Sequence, residues 1–205
     1  ISLAHFLTFS PHRRFYPPFF FSQTILPPSC PHPPLNQHGN APCTTPDLEG
    51  LDPALRGLLA AAWTQMALEQ REHMARLAKS TLQLLHLGGP HALLHRTQLD
   101  ATQALCRAEH CTAVADCYSA GGTLQNAVEH RRESQPSGIP YDAPMVAATI
   151  AQERCVGDTV RCYVLAVAAS LATDSTVAAS LCGLAEGEAR SAALSWKVLQ
   201  WLLQQ

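Results

Sequence analysis

The pattern of apolar and polar residues becomes helical near residue 50 of this 205-residue chain. From there apolar residues recur at intervals of three and four, the period of one face of an α-helix. The first helical segment begins at Asp52 and Pro53, since Asp52 can cap a helix and Pro53 fits its first turn. It stops at Gly88-Gly89-Pro90, a strong termination signal. The pattern therefore predicts a helix of about 35 residues, roughly 50 Å long.

Three further helices are predicted along the rest of the chain. The second runs from about His91 to Ser119, where a glycine pair follows. The third begins at Asp142, and Asp174 caps a fourth that continues to the C-terminus. The valines and isoleucines of these segments fall inside helical periodicity, so no strand pattern competes with the helices.

The connection between the second and third helices is much longer than the other two. Within it, residues 123–134 are predicted to form a short helix and residues 135–144 a loop. Four long helices with one long crossover at this place predict an all-α, four-helix bundle of ferritin-like topology. The bundle is assigned to residues 47–205.

Residues 1–46 differ in composition from the bundle. They hold 10 of the 15 prolines and all six phenylalanines, and their only formal charges are Arg13 and Arg14. Because each proline blocks the helical turn before it, this Pro/Phe-rich segment is predicted to be disordered. The sequence leaves open whether the segment belongs to the mature protein.

The charge balance favours neither nucleic acid nor an anionic membrane as a partner. The chain has 16 acidic and 14 basic residues, for a net charge of −2. No run of 18 or more apolar residues occurs, so no transmembrane helix is predicted and we expect a soluble protein. The partner and cellular location stay open, and a homodimer is one option.

The eight cysteines contain no CxxC pair. Small buried thiols are the favoured interpretation, because a free cysteine packs as a small apolar side chain. One or two disulfides between facing helices remain an alternative, and the sequence does not pair them.

From Trp63 to Trp201 the chain resembles the ferritin-like superfamily, most closely bacterial ferritin-like domain proteins. The resemblance is carried by STLQLLHLGGP (80–90), ERCVGDT (153–159), LATDSTVAASL (171–181) and EGEARSAALSWKVLQW (186–201). It implies a centre that holds two iron or manganese ions. In that family type, two helices supply one Glu each, and the other two supply Glu-x-x-His.

Set against this pattern, the chain retains two of the six expected ligands. Glu153 and Glu188 stand at Glu positions of the third and fourth helices. The other four positions carry residues that ligate poorly or not at all: Gln70, Ala104, Arg107 and Ser191. The resemblance therefore implies a degenerate di-metal site.

Arg107 offers a replacement for the missing metal. A guanidinium at the bundle centre would pair with Glu153 and Glu188, which would otherwise be buried and unpaired. On this interpretation the protein is a non-catalytic structural or interaction module that needs no cofactor.

A rearranged metal site is the alternative. His73, Cys106 and His110 lie near the changed positions and, with Glu153, would supply nitrogen, sulfur and oxygen ligands. The protein would then bind metal, with iron or manganese implied by the family, in a metal-handling or di-iron-type oxidoreductase role. An Arg107 guanidinium placed between Glu153 and Glu188 would favour the first interpretation. An Arg107 that points to solvent, with His73 or His110 turned inward, would favour the second.

Overall fold

In a computed structural model of the chain, the described residues are Pro46, Leu48, 50–119 and 142–205. All regular elements in these ranges are helical, as predicted. The elements are α1 (Pro53–His86), α2 (His91–Tyr118), α3 (Ala143–Thr149), a π-helical segment (Ile150–Val156), α4 (Gly157–Leu171) and α5 (Ser175–Leu202). The predicted disorder of residues 1–46 and the predicted short helix at 123–134 lie outside the described residues, as does most of the predicted loop.

The predicted ends of the helices are confirmed where the chain carries capping residues. Asp52 accepts a hydrogen bond from the Ala54 N–H at the start of α1. Gly88, at a φ of 72°, follows the end of α1 in the left-handed conformation that glycine adopts without strain. At the start of α5, Asp174 accepts from the N–H groups of Thr176 and Val177.

The predicted third helix is a single rod with a π-helical segment inside it. The backbone stays in the right-handed helical region at both junctions, around Ile150 and around Gly157. In a π-helix the hydrogen bond spans five residues rather than four, which widens the turn. The buried positions Val146, Ile150, Arg154, Asp158, Cys162 and Ala166 accordingly recur every four residues along the rod.

The helices pack as two hairpins, α1 with α2 and α4 with α5. The π-helical segment packs on α5, and α2 also contacts α5. None of the helices in the described ranges is long and apolar enough to cross a membrane.

Two apolar clusters fill opposite ends of the packed helices. The Trp63 cluster consists of Ala60, Trp63, Ala67, Cys111, Val114, Ala115, Tyr118, Ala169, Leu181 and Leu184. The Leu84 cluster consists of Leu84, Val146, Ala147, Ile150, Cys155, Leu194, Val198, Leu199 and Leu202. α1 and α5 contribute to both clusters, and partly buried leucines of α2 pack against the Leu84 cluster. The helical segments between the clusters carry buried polar residues.

The cysteines mostly follow the predicted pattern of free thiols. Cys106, Cys111, Cys155 and Cys162 are free thiols, and the last three of them are buried. Burial raises the pKa of Cys111 and of Cys155 to about 12, so both are neutral packing groups. Cys182 is disulfide-bonded.

Candidate functional site

A layer of polar side chains crosses the bundle between the Trp63 and Leu84 clusters. We call it the central polar layer, and all four long helical segments contribute to it. Its members are Gln70, His73, Asp100, Arg107, Arg154, Asp158, Arg161, Glu188, Ser191 and Ser195. Carboxylates and guanidiniums occur in equal number, three of each, so their formal charges cancel.

Gln70 and Glu188 join α1 to α5 at the centre of this layer. The Gln70 side-chain N–H donates to Glu188 Oε1 at 2.7 Å. The same Gln70 accepts from Arg107 Nε at 2.8 Å through its Oε1. One amide thus links the guanidinium of α2 to the carboxylate of α5, and a glutamate at position 70 would not donate in this way.

Arg107 faces the interior, but its partners differ from those expected from the sequence. Its Nη2 lies 3.9 Å from Asp100 Oδ1, and its side chain is only 10% exposed. Burial lowers the pKa of the Arg107 guanidinium, against the opposing influence of Glu188 and Asp100. Gly187 on α5 makes room for it, since a Cβ at position 187 would lie 2.8 Å from Arg107 Cδ.

Arg161 is the guanidinium that contacts Glu188. Its Nε donates to Glu188 Oε2 at 3.3 Å, and its Nη2 donates to Asp158 Oδ1. Burial opposes the charge on Arg161, but Glu188 and Asp158 together outweigh it and raise the pKa of Arg161. Arg161 is therefore the bridging cation between the two carboxylates.

Arg154 is the most deeply buried cation of the layer. It is 2% exposed, and none of its three guanidinium nitrogens has a hydrogen-bond partner among the described residues. Burial lowers its pKa, and the charges of Asp158 and Asp100 oppose that effect. It therefore acts on the layer through longer-range charge rather than through hydrogen bonds.

His73 is fully buried and faces the layer. Its Nε2 lies 3.3 Å from Ser191 Oγ, and its Nδ1 lies 3.6 Å from Asp158 Oδ1. Burial, reinforced by the charges of Arg107 and Arg161, lowers the pKa of His73 to about 2. The imidazole is consequently neutral at physiological pH.

The two buried aspartates have raised pKa values. Burial, reinforced by Glu188, raises the pKa of Asp158 to about 7 against the influence of Arg161. Burial also raises the pKa of Asp100, although a hydrogen bond donated by Ser191 Oγ at 2.8 Å opposes the change. Perturbed carboxyl groups of this kind are concentrated at functional sites, but structural ion-pair networks perturb them as well.

Three side chains of the layer are placed so that they could hold one metal ion. One ligand atom each from His73, Asp158 and Glu188 lies within 4.8 Å of the other two, and all three residues are buried. Imidazole nitrogen and carboxylate oxygen are ordinary ligands of divalent transition metals.

The structure places several of the sequence-predicted ligands away from this group. Glu153 is exposed, because it precedes Arg154 of the buried row by one residue and so lies on a different side of the helix. The predicted pairing of Arg107 with Glu153 is therefore wrong. Ala104 is buried and offers only a methyl group.

The three substitute ligands that the sequence suggested, His73, Cys106 and His110, also lie in different environments. His73 faces the layer, whereas His110 packs its ring edge against Trp63 at a centroid distance of 6.5 Å. Cys106 is a partly exposed free thiol on α2. Neither outcome set as a test is met in full, since Arg107 faces the layer while Glu153 is exposed, and His73 faces the layer as well.

Asp100, Arg154 and Arg161 were not identified from the sequence as site residues. A usable signal was present for the first two, since each occupies a position on a helical row made mostly of apolar residues. On α2 that row is Thr97, Asp100, Ala104, Ala108 and Cys111. A charged residue at a core position is rare and marks either a pair or a site.

Comparison of the chain with protein-family models, with curated proteins and with solved structures finds no match.

Proposed function

We propose that the protein is a ferritin-like helical bundle whose two-metal site is degenerate and whose centre is held by an arginine–carboxylate network. Its role on this proposal is structural or interactive rather than catalytic, and it needs no cofactor. The observation that carries the proposal is Arg161, which occupies the space between Asp158 and Glu188 where a cation would otherwise be required.

The order of the helices supports the ferritin-like part of the proposal. Two antiparallel hairpins, α1–α2 and α4–α5, are joined by the long connection from Ser119 to Asp142. A four-helix bundle with one long crossover in this place has the connectivity of ferritin-like proteins.

The spacing of the polar residues supports a degenerate two-metal pattern. Bundle di-metal proteins use Glu-x-x-His on two helices and a single acid on each of the others. At the positions that the resemblance assigns to Glu-x-x-His, α2 carries Ala104-x-x-Arg107 and α5 carries Glu188-x-x-Ser191. Glu188 is the one ligand kept in these two motifs, and Gln70 replaces the single acid of α1, while the buried Asp100 and Asp158 supply acids at other positions.

The outer face of α4 supports an interaction role. Val160 and Val164 are each more than half exposed and lie one helical turn apart. Val156, at the end of the π-helical segment, and Leu171 extend this row in the two directions. Contiguous exposed apolar surface is typical of interaction sites. A homodimer through this face stays a prediction, which light scattering on a Val160→Lys variant would check.

The proposal is tested by the number of metal ions that the full chain retains. The chelator-treated protein is incubated with Fe(II) or Mn(II), desalted, and assayed for bound metal and for oxygen consumption. We expect fewer than two ions per chain and no oxygen consumption above that of a Glu188→Ala variant. Two ions per chain, lost in that variant, would refute the proposal.

A second candidate function is iron- or manganese-dependent redox or metal-handling activity. The convergence of His73, Asp158 and Glu188 favours it. The arginines weigh against it, because a second ion near Gln70 and Asp100 would have to displace Arg107 from its hydrogen bond. The same metal and oxygen measurements separate the two candidates.

A further inference from the structure

The hydrogen bonds of the central polar layer assign the tautomer of His73. Ser191 Oγ has a single proton, and it donates that proton to Asp100 Oδ1 at 2.8 Å. Toward His73 Nε2, at 3.3 Å, the same oxygen can therefore only accept. The neutral imidazole must carry its proton on Nε2, so that Nδ1 is left with a free lone pair.

That lone pair faces a carboxylate instead of a donor. His73 Nδ1 is buried, has no hydrogen-bond partner among the described residues, and lies 3.6 Å from Asp158 Oδ1. Two acceptors that face each other in a buried site are unfavourable unless a cation or a proton lies between them. Nδ1 and the carboxylates of Asp158 and Glu188 thus present their lone pairs to one small region.

The second ring nitrogen of His73, Nε2, has the kind of hydrogen-bond partner that metal-binding histidines have. Such histidines nearly always donate their second ring N–H to a carboxylate, a carbonyl or a water, which fixes the ring and raises its basicity. Here the Nε2–H is relayed through Ser191 to Asp100. Ser191 and Asp100 are therefore positioning residues for the Nδ1 lone pair.

Among the described residues, Arg161 is the cation that contacts both carboxylates, and it is the most exposed of the three guanidiniums in the layer. Its side chain is 29% exposed, compared with 10% for Arg107, while Arg154 is 2% exposed as a whole residue. Of the three guanidiniums, it is the one that can exchange its buried contacts for water without passing through the core.

From these contacts we infer that His73, Asp158 and Glu188 form a site for one divalent transition-metal ion, whose place Arg161 occupies and from which the ion displaces it. One nitrogen and two oxygen donors suit Zn²⁺, Fe²⁺ or Mn²⁺ better than Mg²⁺ or Ca²⁺, which prefer oxygen alone. The inference goes beyond the proposed loss of the two-metal site, with which a single exchangeable ion is compatible.

The test measures zinc retained by the full chain after chelator treatment, incubation with Zn²⁺ and desalting. Wild type is expected to retain one ion more than His73→Gln, and Glu188→Gln is expected to lose the same ion. His91 and His95 stack on the surface at a ring distance of 6.2 Å and can bind zinc adventitiously, so His95→Gln is the matched control. That control should lose at most surface zinc and should keep the difference from His73→Gln.

Arg161 is tested by competition. Arg161→Ala is expected to bind Zn²⁺ roughly tenfold more tightly than wild type, because the ion no longer has to displace a guanidinium. Arg190→Ala removes a surface arginine that pairs with Glu186, and it should leave the zinc affinity unchanged. If Arg161→Ala folds poorly alone, recovery of its melting temperature on adding Zn²⁺ supports the site.

The positioning role of Ser191 has its own readout. Ser191→Ala keeps all three ligands, and it is expected to weaken zinc binding roughly 10–100-fold while the tightening by Arg161→Ala persists. If His73→Gln retains as much zinc as wild type, the inferred site would be overturned. If Arg161→Ala retains zinc and wild type never does, the proposed displacement of Arg161 by the ion would be overturned.

The outcomes also separate this inference from the proposed function. No ion in wild type or in Arg161→Ala would refute the single-ion site and leave the degenerate two-metal proposal standing. Two ions with oxygen consumption would refute the proposed function. One ion, lost in His73→Gln and tightened by Arg161→Ala, supports both.

Discussion

The central polar layer and the Leu84 cluster lie on the same helices but are stabilised in opposite ways. On α1, His73 and Leu84 are about 16 Å apart along the helix axis, and both are fully buried. The cluster is held by apolar burial and packing, which have no preferred direction. The layer is held mainly by hydrogen bonds and ion pairs, in which most groups depend on a particular partner.

This difference predicts how the stability of each region responds to substitution. An apolar cluster tolerates exchanges that conserve volume, because its contacts are not specific to one pair of atoms. A buried polar network does not tolerate the loss of one member, since the partner remains buried without compensation. The two regions should therefore differ in the size, pH dependence and chemical specificity of their mutational effects.

The largest effect is expected from removing the carboxylate that has two partners. Glu188→Ala leaves Gln70 Nε2 and Arg161 Nε without their acceptor, and should lower the free energy of unfolding by about 3–5 kcal/mol. Urea denaturation measures the loss. Glu186→Ala, which removes a neighbouring carboxylate with an i,i+4 surface partner, should cost no more than about 1 kcal/mol. Equal losses in the two variants would mean that the layer is not a buried network.

The corresponding experiment in the apolar cluster is the truncation of Leu84. Leu84→Ala should cost about 2–5 kcal/mol through lost burial and a residual cavity, whereas Leu84→Met, which nearly conserves volume, should cost less than about 1.5 kcal/mol. Both losses should be the same at pH 5 and pH 8, because no titratable group is removed. A marked pH dependence of the Leu84→Ala loss would contradict the separation of the two regions.

The pH dependence of the polar layer should contain two opposing contributions. The pKa of Asp158 is raised in the folded state, to about 7, so its contribution to stability is present below about pH 4 and is lost as pH rises through 7. The pKa of His73 is lowered, to about 2, so its contribution is present above about pH 6.5 and is lost as pH falls. Between about pH 4 and 6.5 the two slopes oppose each other.

Removing either residue should expose the other contribution. In chelator-treated protein, His73→Gln should become more stable relative to wild type as pH falls from 6.5, by up to about 1 kcal/mol per pH unit. Asp158→Asn should become less stable relative to wild type over the same range. Asp116→Asn, an exposed control on α2, should follow the wild-type profile. Slopes of the same sign in the two test variants would refute the opposing contributions.

The helices were predictable from the sequence because their signals are local. Asp52, Pro53 and Gly88 act through their own backbone conformation and nearest hydrogen bonds, so the limits of α1 follow without tertiary information. The same holds for Asp174 at the start of α5. The apolar period of a helix shows which of its sides is buried, but it does not show which helices face each other. The arrangement of the central polar layer was therefore harder to predict from the sequence.

The candidate site was only partly predictable, and Glu153 illustrates why. The resemblance placed Glu153 at a ligand position, but the buried row through the π-helical turn at 150–156 runs along Ile150, Arg154 and Asp158 instead. A π-turn has no reliable local sequence signal. Arg161 was missed for a different reason, since an arginine one turn after an aspartate is ordinary on a solvated helix face.

The smallest predicted effect tests how closely the layer is packed around Arg107. Gly187 lies against the Arg107 side chain, and a Cβ there would come within 2.8 Å of Cδ and of Nη1. In Gly187→Ala, an overpacking cost of about 1–3 kcal/mol offsets the helix-propensity gain of about 1 kcal/mol, so the net change should be a loss of at most about 2 kcal/mol.

The matched control for Gly187→Ala lies one turn earlier on α5. Gly183 has nothing within 4 Å of an added Cβ, so Gly183→Ala should show the propensity gain alone, about 0.5–1 kcal/mol. In an Arg107→Ala background the overpacking disappears, and Gly187→Ala should then stabilise the protein as Gly183→Ala does. Urea denaturation of the four variants completes this cycle. If Gly187→Ala stabilises the protein even with Arg107 present, the guanidinium has room to move, and the layer is packed less tightly around Arg107 than the apolar clusters are around their side chains.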